Sequence, residues 1–127
     1  MTIADQFLIA ITAWRENRGG GQAGMQSVIN VIMNRAKVRN QSPYQVCTAR
    51  LQFSSITAPN DPETILYPPS FDTAWPIAVQ LTEQAVNGML EDITEGATSY
   101  YALSIPAPYW VASMTKTVEI EGQAFYK

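Results

Sequence analysis

Glu16 sits in Ala13-Trp14-Arg15-Glu16-Asn17-Arg18-Gly19, where an apolar helical pattern gives way to glycines. A carboxylate in the last turn of a helix lies against the partial negative charge of the helix dipole, and a neighbouring aromatic such as Trp14 removes water from it. Both effects favour the protonated acid, the form that donates a proton to a glycosidic oxygen. The alternative is a solvated glutamate in an exposed turn, which is the commoner fate of Glu. A two-carboxylate glycosidase needs a second acid. Asp61, Glu63, Asp72, Asp92, Glu95, Glu119 and Glu121 are available, and no spacing selects one of them.

Gln52, Tyr100, Tyr101, Tyr109, Trp110 and Tyr126 combine an apolar body with a polar tip, or supply an amide. Such groups suit a cleft that stacks on sugar faces and hydrogen-bonds acetamido groups, and they equally suit the core of a small domain. Other chemistries are closed off by composition. The chain has no histidine and a single cysteine, Cys47. Ser-His-Asp and Cys-His catalysis are therefore excluded, as are an internal disulfide and a thiolate metal cage. No metal or organic cofactor is expected.

The elements that position these residues follow from hydrophobic spacing. Ile3, Phe7, Ala10, Ile11 and Trp14 share one helical face and predict a first helix from about Thr2 to Asn17, ended by Gly19-Gly20-Gly21. Met25, Val28, Ile29, Ile32 and Ala36 predict a second helix from Gly24, and Val31 and Met33 make it the most buried one. Ser42-Pro43 opens a short helical turn to Cys47, and Gln52 to Ser70 reads as a long ordered loop. A third long helix starts near Phe71 to Trp75, with Pro76 in its first turn, and closes at Asn87-Gly88. Thr98 to Tyr101 is strand-like, and Thr117–Ile120 and Gln123–Tyr126 flank Glu121-Gly122 as a hairpin. The expected fold is α+β, mainly helical, with a C-terminal β element.

At 127 residues, 46% hydrophobic and 15% charged, the chain is one globular domain, spanning residues 1–127. A net charge of −3 gives no attraction to nucleic acid or anionic lipid. No apolar run reaches the ~20 residues that span a bilayer, and Met1 to Ala13 lacks the features of an export signal. The expectation is a protein made in the cytoplasm and released by another component. A monomer is expected.

The ordered motifs resemble the SleB/CwlJ-type cell wall hydrolases. Glu16-Asn17-Arg18-Gly19, Gly24, Val28, Val31 and Asn34-Arg35 are similar to that family's E-A-R-G-E…G…V…V…N-R signature. Gln52-Phe53-Ser54 resembles its Q-F-S motif, Ala78 through Gly88 its A…A…G helix, and Gly96 through Tyr101 its G-A-T-x-Y-Y. Trp110 and Ile120 through Tyr126 resemble a W…I-x-G-H-x-F-Y ending. The resemblance runs from about Leu8 to Lys127. Gly20 stands where the family usually has a second Glu, and Gln123 where it usually has His.

The resemblance implies a lysozyme-like fold and cleavage of the N-acetylmuramic acid to N-acetylglucosamine β-1,4 bond of peptidoglycan, as a lytic transglycosylase with one Glu, here Glu16, as acid and then base. Gln52, Ser54, Tyr100, Tyr101 and Trp110 are candidates for substrate positioning. Arg18 is expected to pair with a carboxylate or the glycan's lactyl group, and Asn34 to tie the second helix to a loop or face the cleft. The stand-alone domain is similar to a bacteriophage endolysin released through a holin-made membrane hole, and a tail-associated lysin has the same features. A hydrolytic muramidase and a catalytically silent glycan-binding protein, the latter motivated by Gly20 and Gln123, are the competing readings.

Overall fold

The computed structural model of the protein describes residues 1–50 and 52–127. Helix α1 (Ile3–Asn17) opens on a reciprocal cap, in which Thr2 and Asp5 each bond the other's backbone N–H. A single 3₁₀ turn, Arg18–Gly20, joins it to α2 (Gly21–Arg39). The second helix thus begins three residues before the expected Gly24, leaving almost no loop. Gly21 makes the sharp change of direction with φ at +66°, a backbone region that side chains disfavour.

Helix α3 (Pro43–Thr48) repeats the reciprocal cap with Ser42 and Gln45, and has Pro43 in its first turn. The stretch read as a long loop contains a short helix, α4 (Ser54–Thr57), and a 3₁₀ turn, Pro62–Ile65. Local turn residues masked both. Helix α5 (Ala74–Val86) starts within the expected Phe71–Trp75 range and carries Pro76 in its first turn.

The C-terminal third is a three-stranded antiparallel sheet of β1 (Ser99–Ala102), β2 (Lys116–Ile120) and β3 (Gln123–Tyr126), with β3 in the centre. Glu121 and Gly122 both have positive φ, as a tight right-twisting hairpin requires.

Helix α2 is the hub of the packing. Met25, Val28, Ile29 and Ile32 join Ile9, Ile11, Ala13 and Trp14 of α1 and Ala78 and Leu81 of α5 in the main core. On another side Val31 packs with Ala97 and Phe125, seating the sheet on α2. Burial all round one helix explains its lack of a clear polar face. The apolar face expected of α1 holds only for its inner turns, because Ile3 and Phe7 are exposed beyond the end of the core.

Candidate active site

Glu16 lines a cavity of about 680 Å³ together with Arg35, Thr48, Arg50, Gln52, Ser54, Thr57, Asn60 and Tyr100. It is the sole carboxylate among the described lining residues. Residues two apart on a helix do not face each other. Accordingly Trp14 does not pack on Glu16 as expected: its indole Nε1 donates to Asp72 Oδ2 at 2.9 Å, which also caps the Trp75 backbone N–H and ties α1 to α5.

The aromatic that does meet Glu16 comes from the sheet. Tyr100 Oη donates to Glu16 Oε1 at 3.1 Å. Burial, then the neighbouring carboxylate, raise the Tyr100 phenol well above its ordinary value. It therefore remains a neutral O–H donor across the working pH range. The strand is aimed from α2: Asn34 Nδ2 donates to Ala97 O at 2.9 Å, and Arg35 Nε to Thr98 O, immediately ahead of β1 and two residues before Tyr100. Asn34 also bonds Asp92, whose carboxylate takes the Thr94 and Gly96 N–H groups. Arg35 is buried, its guanidinium lies 5.1 Å from the Phe53 ring centre, and burial lowers its pKa. Its Nη1 is buried without a hydrogen-bond partner among the described residues.

The opposite wall is pulled onto α1 by two arginines. Arg15 donates through Nε to Leu66 O and through Nη1 to Ser55 O, both at 3.1 Å. Arg18 forks onto both oxygens of Glu63 at 2.6 and 3.0 Å and lies 4.0 Å from the centre of the Trp14 ring. Within this wall Ser54 Oγ donates to Asp61 Oδ2 at 2.7 Å, while Asp61 Oδ1 accepts from the Glu63 N–H. That first bond chiefly lowers the Asp61 pKa. Asp61 is thereby committed to shaping the turn behind Ser54.

The expected substrate residues divide. Gln52, Ser54 and Tyr100 share the cavity with Glu16. Tyr101 and Trp110 do not line it: successive strand residues point to opposite faces, and Tyr101 packs with Trp110 and Tyr126, ring centres 6.1 and 6.0 Å away. Arg18 and Asn34 take the first of the two roles expected of each, a carboxylate partner in Glu63 and a tie from α2 to Asp92 and Ala97, and neither is on the lining. Gln123 lies on β3 outside the lining.

Sequence reading overlooked Arg15 as a wall anchor and Arg35 and Arg50 as lining residues. Arg15 and Arg18, three apart and hence on one helical face, offered a usable signal for the first. Nothing local marks Arg50. Among the described residues no cluster of three potential ligands fits a metal, and no helix is long and apolar enough to cross a membrane.

A family model described as cell wall hydrolase matches residues 19–126. No curated protein matches the chain. Among solved structures, the catalytic domain of the germination-specific lytic transglycosylase SleB from Bacillus anthracis superposes with a TM-score of 0.78 at 22% identity, covering 100% of this chain and 97% of that one. The SleB catalytic domain from Bacillus cereus gives 0.76 at 24% identity, covering 100% and 92%. At these identities the likeness is one of fold, and it matches the mainly helical architecture with a small C-terminal sheet.

Proposed function

The chain belongs to the cell wall hydrolase family, and on that footing we propose that it cleaves the N-acetylmuramic acid to N-acetylglucosamine β-1,4 bond of peptidoglycan as a lytic transglycosylase. The observation that carries this reading is the pairing of Glu16, alone among carboxylates on the described cavity lining, with the Tyr100 hydroxyl. The family match begins at residue 19, after Glu16, so the assignment of the acid rests on the geometry and the signature around it.

Glu16 gives its proton to the glycosidic oxygen, which leaves as the 4-hydroxyl of N-acetylglucosamine. The substrate's own acetamido oxygen stabilises the positive charge that develops at the muramoyl anomeric carbon. Glu16, now a carboxylate held by Tyr100, takes the proton of the muramoyl C6 hydroxyl as that oxygen attacks the same carbon. A 1,6-anhydro ring closes and the acid is regenerated. No water is consumed and no second protein carboxylate is needed, in keeping with the lining. Gln52, Ser54 and Asn60 supply amide and hydroxyl groups for the sugars.

Mass spectrometry of digested sacculi tests the outcome: anhydro-muramic ends are expected, and reducing muramic ends would indicate a hydrolytic muramidase instead. A zymogram with Glu16→Gln tests the acid, since equal clearing by both proteins removes Glu16 from the chemistry and no clearing by either favours a silent glycan-binding protein. Delivery is a separable part of the proposal. As an endolysin, the chain expressed in a bacterial host is expected to lyse cells only when a holin is co-expressed, and lysis without one would sink that role.

A further inference from the structure

The cavity carries more positive charge than this reaction uses. One carboxylate, Glu16, faces two guanidinium groups, Arg35 and Arg50, in a chain of net charge −3. The fold accounts for Arg35, which is buried, stacked on Phe53 and bonded to Thr98 O. It also accounts for Arg15 and Arg18, which anchor the opposite wall. Arg50 has no such task. It is exposed just after α3, it shares the lining with Thr48, Gln52 and Asn60, and among the described residues no carboxylate lies within ion-pair distance of it. Neutral sugars are recognised by amides and hydroxyls, which this wall already has. A planar guanidinium beside them matches the two oxygens of a carboxylate.

We propose that Arg50 binds a carboxylate carried by the muramoyl residue, making the enzyme selective for glycan strands with anionic substituents. The inference rests on the peptidoglycan reading and deepens it. The carboxylate has two sources, the lactyl group where the peptide has been removed and the stem peptide where it is present. Held by Arg50, the substituent fixes which sugar lies over Glu16 and hence which bond is cut. The expectation that Arg18 meets the lactyl group passes to Arg50, because Arg18 is engaged by Glu63.

The test compares wild type, Arg50→Gln and Arg50→Lys on three substrates: intact sacculi, strands stripped of peptide by an amidase, and sacculi whose carboxylates have been coupled to methylamine. Arg50→Gln is expected to lose about tenfold in kcat/KM on carboxylate-bearing strands, mainly through KM, with Arg50→Lys between the two. On methylamidated sacculi wild type and Arg50→Gln are expected to be equal. A loss confined to intact sacculi assigns the stem peptide, one confined to stripped strands assigns the lactyl group, and a loss on both assigns either carboxylate. Equal rates on both carboxylate-bearing substrates overturn the proposal, as does an undiminished loss on methylamidated sacculi. A wild type inactive on all three overturns the glycosidase reading and takes this proposal with it.

Discussion

The Tyr100 hydroxyl donates to Glu16 Oε1 at 3.1 Å, joining residues 84 positions apart in the chain. This bond brings the sheet to the last turn of α1, and it is the one direct contact between the proposed acid and another side chain among the described hydrogen bonds. Tyr100→Phe keeps the ring, which packs on Phe125 at 5.4 Å between centres, and removes only the donor. A hydrogen bond to a charged group contributes roughly 1.5–3 kcal/mol, so kcat is expected to fall about 10- to 100-fold with KM little changed. Steady-state kinetics on soluble glycan fragments check this. Unchanged kcat would mean that the carboxylate works without its phenol.

Asn34 and Gln52 separate support from contact. Asn34 bonds Ala97 O and Asp92 from outside the cavity, whereas Gln52 lies exposed on its lining. Asn34→Ala is expected to cost about 1–3 kcal/mol of stability with KM within twofold of wild type. Gln52→Ala is expected to raise KM and leave stability within about 0.5 kcal/mol. Denaturant unfolding alongside kinetics reads both. The reverse pattern would return Asn34 to the substrate and make Gln52 structural.

The three long helices, the short helix α3 and the hairpin were legible in the sequence because their signals are local, whereas α4 was hidden among turn residues. Thr2 and Asp5, Ser42 and Gln45, and Glu121-Gly122 each act within a few residues of themselves. The choice between Tyr100 and Tyr101 was not legible. It depends on which face of β1 meets the helices, and that is set by the pairing of Tyr100 with Phe125 and by the packing of Phe125 on Val31. The two roles open to Arg18, a carboxylate partner or the lactyl group, could not be separated for a similar reason, since the carboxylate it pairs with, Glu63, is 45 residues away.

The departure at Gly20 is coupled to its neighbour. A Cβ on residue 20 would lie 2.6 Å from Asn17 Oδ1, and one on Gly24 would lie 2.8 Å from Asn17 Nδ2. The family signature has Ala where this chain has Asn17, so the amide occupies the space that a larger residue 20 needs. Gly20→Glu alone is expected to destabilise the protein, and Asn17→Ala to restore part of the loss, with a coupling of about 1 kcal/mol in a double-mutant cycle. Strictly additive costs from the four unfolding curves would show that the two positions do not share that space.

Cys47 gives the fold a dependence on alkaline pH that is separate from the site's chemistry. It is fully buried at the junction of α3 with the main core, and burial pushes its thiol up to about 11 from an ordinary 9.0. The unfolded chain ionises this thiol first, so above pH 9 it holds fewer protons than the folded chain and stability falls as pH rises. The contribution is fully present below pH 9 and is lost progressively towards 11, reaching about 1 kcal/mol of lost stability by pH 10. Tyr100, also raised by burial, acts in the same direction at higher pH. Cys47→Ala removes the thiol's share at a packing cost that does not vary with pH. Its unfolding free energy is therefore expected to fall less between pH 8 and 10 than that of wild type. A thiol reagent such as Ellman's is expected to label Cys47 only once the protein unfolds. Rapid labelling of the native protein at pH 8, or parallel pH curves for the two proteins, would show that the thiol reaches water in the folded state.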